Sequence, residues 1–182
     1  MNIIGLGNAG CALANSFSTY AQYKIFSIAS EDKGYNNFIH VPTQATHEDY
    51  ESKYKKVNLR GCKGDITLVV SGASKISGCA LRLLEQIKNN KITILYIKPD
   101  SSELIGDKRL YERATYGILQ QYVRSTALDS MYVVCNKNVE EILENVSLQN
   151  YWQDINKVIS STYHMINVFK NTEPLLNSMP QP

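Results

Sequence analysis

Hydrophobic positions in this chain form short runs rich in β-branched residues, and longer segments with helical periodicity separate most of them. The runs lie at 2–4, 24–29, 38–41, 66–70, 92–97 and 131–135. Strands with nearly continuous apolar content are typical of a largely parallel sheet that is buried on both faces. The pattern therefore predicts a three-layer α/β fold, Rossmann-like, with a mostly parallel sheet and helices on both of its faces.

The segments between the runs predict five helices, at 10–20, 78–89, 107–124, 139–144 and 152–170. The last has one apolar stripe that we expect to pack on the sheet, formed by Ile155, Val158, Ile159, Thr162, Ile166 and Phe169. Residues 42–64 are polar and predict one exposed helix or a loop. The prolines near the end predict a single domain at 1–170 and a flexible tail at 171–182.

Composition limits the classes of function. The 182 residues carry a net charge of +2, which gives no reason to expect a nucleic-acid partner. The apolar runs are far shorter than the roughly 20 residues of a membrane span, and no signal peptide is evident, so we expect a cytoplasmic protein without a membrane partner. The four cysteines and three histidines share no ligand spacing, so neither a metal site nor a disulfide framework is expected.

A glycine-rich turn joins the first strand to the first helix. Gly5, Gly7 and Gly10 let the backbone approach a phosphate, and the helix N-terminus supplies unpaired N–H groups, so the turn predicts an anionic ligand. With Glu31 or Asp32 as a ribose-binding acid, the GxGxxG spacing alone favours NAD. The alternative is that these glycines serve close packing without a ligand.

Later segments match another family in order and spacing. They are Asp-Ile-Thr-Leu-Val-Val-Ser-Gly-Ala-Ser-Lys-Ile-Ser-Gly at 65–78, Ile-Thr-Ile-Leu-Tyr-Ile-Lys-Pro-Asp at 92–100, Gly-Asp-Lys-Arg-Leu at 106–110, Asp-Ser-Met-Tyr-Val-Val-Cys-Asn at 129–136 and Tyr-Trp-Gln-Asp-Ile-Asn at 151–156. Together with the glycine turn, they resemble the nucleotide-binding domain of the FtsZ and tubulin family, over nearly the whole chain up to Lys170.

The resemblance implies GTP or GDP as the ligand. By it, Trp152 stacks on the base, Asn136 and Asn156 bond the edge of the base, and Arg109 and Glu103 reach the sugar and phosphates. The phosphates would lie between two loops formed by Gly5, Gly7, Asn8, Gly10, Ser71, Gly72, Ser77 and Gly78. Trp152 and Asn156 are four residues apart, so both can meet one purine. Alternatively, Trp152 anchors the core, the asparagines cap turns and Arg109 is a solvated charge.

Two departures from the family concern the phosphates. Residues 71–78 carry Lys75 and Ile76 where the family has a nearly continuous Gly/Thr run, so fewer amides converge and Lys75 is expected to replace part of their charge. Residues 42–64 contain only Gly61 and Gly64, so discrimination of triphosphate from diphosphate is expected to be lost. Whether Asp100, Glu103 and Asp107 hold Mg²⁺ or face water stays open.

A third departure concerns activity. The sequence ends soon after the last predicted helix, without the family's second domain and its acidic loop, so we assign no catalytic residue and expect hydrolysis to be absent or very slow. The favoured interpretation is a divergent, single-domain FtsZ/tubulin-like protein that binds guanine nucleotide, of a size that suits a bacteriophage or other mobile-element protein.

Its partner would be an FtsZ/tubulin-like protein or itself, and it could cap one end of a filament. A monomer or a symmetric dimer is the alternative to that assembly. Two other functions stay open: an NAD-dependent oxidoreductase, which leaves the second half unexplained, and a structural or regulatory module that kept the fold without its ligand.

Overall fold

Each of the six apolar runs forms a strand in the computed structural model, which describes residues 1–143 and 149–172. The strands are β1 (Asn2–Leu6), β2 (Lys24–Ala29), β3 (Phe38–His40), β4 (Asp65–Val70), β5 (Lys91–Lys98) and β6 (Ser130–Cys135). They form one sheet in the order β3-β2-β1-β4-β5-β6, and every neighbouring pair is parallel. The predicted parallel α/β architecture is therefore confirmed.

The helices within the described residues are α1 (Gly7–Ser16), α2 (His47–Ser52), α3 (Ala80–Ile87), α4 (Asp107–Arg124), α5 (Asn136–Ile142) and α6 (Tyr151–Asn171). The bounds of α4 match the prediction. Both α1 and α5 begin three residues earlier than predicted, because each helix follows its strand without a loop. Glu144 of the predicted fifth helix and residues 173–182 of the predicted tail lie outside the described residues.

Alternate residues of the central strands supply two separate cores. Ile4 and Leu68 face α3 and α4, whereas Ile3 and Val69 face α1 and α6, and all four side chains are fully buried. Because burying one such aliphatic side chain is worth roughly 1.5–3 kcal/mol, this two-sided burial fixes the sheet between two helical layers.

The segment 42–64, predicted to be an exposed helix or a loop, contains α2 and is only partly exposed. The hydroxyl of Thr46 caps α2 by accepting the N–H of Asp49 at 3.0 Å. Tyr50 is only 4% exposed and Cys62 is also buried, because both pack on the core formed by β1, β4 and α3. The polar sequence of this segment gave no indication that these two residues are buried.

The stripe predicted on α6 is buried only in part. Ile155 and Ile159 are buried, but the buried side then continues through Tyr163 and Asn167, each four residues further on. Phe169, the last residue of the predicted stripe, is 57% exposed.

Candidate functional site

The carboxyl ends of all six strands lie along one edge of the sheet, because the strands are parallel. From the adjacent central strands β1 and β4, the chain continues to β2 on one side and to β5 on the other. Such a switch point leaves a crevice outside the strand ends, where α/β proteins bind ligands. Gly7 follows β1 and Ser71 follows β4, so two predicted site segments border this crevice.

The first turn of α1 faces the crevice with no side chain to cap it. Leu6, at the N-cap, makes no side-chain hydrogen bond, and no acidic residue lies in the first turn. Gly7 has a φ of +73°, a conformation that residues with a Cβ rarely adopt, and a methyl group there would lie 2.8 Å from Cγ2 of Ile76. The exposed Asn8 comes next. This turn therefore presents backbone N–H groups and the positive end of the helix dipole.

A cleft of about 400 Å³ lies between this turn and the loop after β4. Its lining contains no carboxylate and one cationic side chain, which belongs to Lys75. The cleft is lined by Leu6, Gly7, Asn8, Ala9, Ala29, Ser30, Tyr50, Ser71, Ala73, Ser74, Lys75 and Ile76. Such a lining suits an anion. A larger cleft of about 520 Å³ lies away from the strand ends, and there Arg82 pairs with Glu51 and Glu85, so we do not regard it as the site.

Sequence reasoning missed the contributions of Tyr50, Ala29 and Ser30 to this cleft. Ala29 and Ser30 follow from the pairing of β2 with β1, which brings the end of β2 beside Gly7. Tyr50 comes from a segment with no apolar periodicity, so nothing in the local pattern could have placed it there.

Ser77 and Gly78, predicted as phosphate-loop residues, lie beneath that loop. The hydroxyl oxygen of Ser77 is 2.9 Å from the Gly72 carbonyl oxygen and 2.7 Å from that of Ser74. It is also 3.2 Å from Nε2 of His47, whose pKa is lowered by burial. Ser77 is 2% exposed, so its hydroxyl holds the loop to α2.

Close packing accounts for four of the five predicted site glycines. A methyl group on Gly5 would lie 2.6 Å from Cα of Cys11, and one on Gly10 would lie 2.5 Å from the carbonyl oxygen of Val69. Gly72 and Gly78 are similarly blocked, by Tyr96 and by His47. Of these five glycines, only Gly7 lines the cleft. The other four allow α1, α2 and α4 to pack closely around the strand ends.

Three further predicted residues lie where β6, α5 and α6 meet. Asn136 begins α5 directly after β6, and its side-chain Oδ1 is buried without a hydrogen-bond partner in the part of the chain that the structure describes. Trp152, in the first turn of α6, is 62% exposed and packs edge-on against Tyr151 at 4.9 Å. Asn156 is half-buried, and its carbonyl oxygen lies 3.5 Å from the hydroxyl of Ser16.

The loop after β5 approaches the same region. The pKa of Tyr151 is raised by burial first, then by a hydrogen bond to Glu140 and by the charges of Glu140 and Glu103. The predicted sugar contact Glu103 therefore lies near the start of α6. Arg109 instead donates to the carbonyl oxygens of Ser101 and Leu104, at 3.4 and 3.2 Å, so its guanidinium holds this loop.

Asp32, one of the two acids proposed for an NAD ribose, has another role. Oδ1 of Asp32 accepts the N–H groups of Gly34 and Tyr35, at 2.9 and 3.2 Å, and so builds the turn after β2. Among the described residues, no group of three or more His, Cys, Asp or Glu side chains could hold a metal ion.

Comparison with known proteins adds the decisive observation on the fold. No family model and no curated protein matches the chain. The solved structure of an empty FtsZ dimer from M. jannaschii matches with a TM-score of 0.62 and 14% sequence identity, over 97% of this chain. The fold is FtsZ-like.

The chain spans 56% of the length of that FtsZ chain. This likeness confirms the FtsZ/tubulin-like fold that the resemblance implied, and it does not favour the oxidoreductase alternative. No helix in residues 1–143 or 149–172 has the length and hydropathy needed to cross a membrane.

Proposed function

We propose that this chain binds a guanine nucleotide at the carboxyl edge of its sheet and, by itself, hydrolyses it slowly or not at all. The observation that carries the proposal is the buried Oδ1 of Asn136, which lacks a partner among the described residues. An unpaired buried carbonyl costs about 1–3 kcal/mol, and a donor on a bound base would remove that cost. Guanine presents two neighbouring donors on one edge, N1–H and its N2 amino group, which can both reach the two lone pairs of such an oxygen, whereas the corresponding edge of adenine has only the N6 amino group as a donor.

The phosphates would lie in the cleft at the start of α1. The uncapped first turn and Lys75 supply positive charge there, and no carboxylate lines the cleft to oppose it. Helix N-termini bind phosphate through their free N–H groups and dipole. Lys75 would act as a point charge in place of the amides that a glycine-rich loop provides.

The base would lie further along the same edge of the sheet, where α5 begins directly after β6. It would fit between Trp152 and the two asparagines, with the phosphates at the first turn of α1. The exposed indole of Trp152 would then stack on the base.

Slow turnover follows from the lining of the cleft. Neither a carboxylate nor an imidazole, the most usual general bases, is among its lining residues, so an attacking water would be activated poorly there. Mg²⁺, if it accompanies the nucleotide, would be bound mainly by phosphate oxygens. Asp100 uses its Oδ1 to accept two hydrogen bonds from Ser102, so only its Oδ2 would be available to such an ion.

A protein partner is the second part of the proposal. The FtsZ structure that this chain resembles is a dimer. We propose that this chain likewise associates through its nucleotide face, either with an FtsZ-type filament, whose end it would cap, or with itself. Loss of polymer length when it is added substoichiometrically to an FtsZ-type protein from the same cell would support capping, and unchanged polymer would contradict it.

Trp152 makes the nucleotide proposal directly testable, because it is the only tryptophan. We expect GDP and GTP to change its fluorescence at lower concentrations than ATP, and NAD to have no effect. Calorimetric titration of Trp152→Phe, which keeps an aromatic face, controls for a change that arises only at the indole. An equal response to ATP, or none to any nucleotide at millimolar concentration, would contradict the guanine assignment, and a response to NAD alone would favour a dinucleotide site.

A further inference from the structure

The edge of the sheet where the strands begin is a level surface. Four adjacent strands, β2, β1, β4 and β5, begin within about one residue of one another in the paired register, and together they are about 14 Å across. Because the strands are parallel, each helix between two strands returns the chain to this edge. We define the amino edge as residues 1–2, 22–24, 59–65, 88–91, 124–130 and 170–172.

The loop before β4 lies against the starts of two other strands. The carbonyl oxygen of Lys63 accepts a hydrogen bond from Nδ2 of Asn2 at 2.8 Å. A methyl group on Gly61 would lie 2.9 Å from Nζ of Lys24, the first residue of β2. The end of α6 reaches the same edge, because Lys170 lines a cavity of about 190 Å³ there together with the first residues of β4 and β5.

Cations outnumber carboxylates on the amino edge. It contains two exposed carboxylates, Asp65 and Asp129, and seven exposed cations, which are Lys24, Arg60, Lys63, Lys88, Lys91, Arg124 and Lys170. In the part of the chain that the structure describes, Lys91 is the only one of the seven that forms an ion pair with a carboxylate, with Asp129 at 3.7 Å. The excess of positive charge here is larger than the +2 of the whole chain, so the rest of the chain is net negative.

Helix ends explain only part of this charge. Three of the seven cations lie at the C-terminal ends of α3, α4 and α6, where a cation complements the helix dipole. The other four lie at strand starts or in the loop before β4, where no helix ends. Charge of one sign that is collected on one surface attracts a partner of the opposite charge.

We propose that the amino edge lies on a membrane surface that contains anionic lipids. A level surface fits a planar bilayer, and each lysine or arginine near anionic lipids strengthens binding about fivefold. Two aromatic rings flank the charged surface: Phe169, in the last turn of α6, is 57% exposed, and Tyr122, in the last turn of α4, is 38% exposed. Aromatic rings suit the headgroup region of a bilayer, whereas duplex nucleic acid offers them no apolar surface.

This proposal differs from the expectation of no membrane partner, which came from the lack of a spanning segment and from the small net charge. A surface that lies on a bilayer needs no spanning helix, and its attraction to lipids depends on local charge. The nucleotide cleft lies at the opposite edge of the sheet. The inference therefore does not rest on nucleotide binding.

Co-sedimentation with vesicles tests the proposal. We expect the wild type to pellet with vesicles of equimolar phosphatidylglycerol and phosphatidylcholine, to stay in solution with phosphatidylcholine alone, and to be released as salt is added. The double variant Arg60→Ala, Lys63→Ala should bind the anionic vesicles at least tenfold more weakly. The matched control is Lys33→Ala, Lys108→Ala, which removes the same charge from exposed positions at the carboxyl edge and should bind like the wild type.

Phe169→Ser tests the apolar part of the contact. It should weaken vesicle binding about three- to tenfold, because an exposed ring no longer enters the headgroup region. Circular dichroism and the melting temperature check that every variant is folded.

Four results would overturn the proposal. One is a wild type that does not pellet with anionic vesicles at low salt. The second is an equal loss of binding in the carboxyl-edge control, which would show that total charge alone causes the attraction. The third is unchanged binding by the folded amino-edge variants. The fourth is binding to a double-stranded DNA fragment without binding to vesicles, which would make nucleic acid the partner.

Discussion

Replacing Asn136 with leucine should stabilise the nucleotide-free protein and weaken its binding of GDP. The side-chain Oδ1 of Asn136 is buried without a hydrogen-bond partner among the described residues, and Asn136 does not cap α5. Leucine has a similar size and no polar atom to desolvate. The substitution therefore removes the desolvation cost of the unpaired oxygen in the free protein, and it removes the hydrogen bond to the base in the complex.

The magnitude follows from the cost of an unpaired buried carbonyl, which is about 1–3 kcal/mol. If imperfect packing of the leucine side chain offsets part of that gain, the free energy of unfolding should rise by about 1–2 kcal/mol. For a chain of this size, the melting temperature would then rise by roughly 3–6 °C. Loss of the bond to the base should lower GDP affinity at least tenfold, which is about 1.4 kcal/mol.

Thermal unfolding with and without GDP measures both effects in one experiment. A saturating ligand raises the melting temperature of the wild type, and at fixed GDP the increase should be smaller in the variant. Asn138→Leu is the matched control, because Asn138 is exposed on the same helix and the change alters helix propensity similarly. If Asn136→Leu melts below this control, or keeps the wild-type response to GDP, the assignment of Asn136 is refuted.

Three other substitutions probe the site. Lys75→Ala should weaken GDP binding about three- to tenfold at low salt, and this loss of affinity should become smaller as salt is added. Lys88→Ala, at the larger cleft, is the control and should leave GDP affinity unchanged. Calorimetric titration measures the affinity of both variants. Asn156→Leu should leave the fold intact but cost about 1–3 kcal/mol of GDP affinity and reduce the preference for GDP over ADP. Burial lowers the pKa of His47 from 6.5, so the unfolded chain binds a proton at a higher pH than the folded protein does. The wild type therefore loses stability as the pH falls below 6.5. His47→Gln should make this loss smaller when stability is measured by urea unfolding. An equally steep acid loss in the variant would show that other groups cause it.

Local sequence pattern determined the strands and most helix positions. The four inner strands are buried on both faces and are therefore almost entirely apolar, and the partly buried edge strands β3 and β6 also carry short apolar runs, so all six could be recognised without knowing their neighbours. Helix α4 was predicted with the bounds observed, from Asp107 to Arg124. The glycine turn could be placed for the same reason, because strand, turn and helix follow one another directly in the chain.

The roles of individual site residues depended on contacts between distant segments. From the sequence, the glycines could serve either close packing or phosphate binding. In the structure, the carbonyl of Val69 leaves no room for a side chain at Gly10, whereas Gly7 lines the cleft. Tyr50 reaches the cleft because α2 packs on the loop after β4, which no local pattern indicates. Likewise, the unpaired oxygen of Asn136 and the cationic amino edge appear only when every neighbour is in place. Hydrogen-bond partners and surface exposure belong to the assembled chain, so tertiary structure alone could decide them.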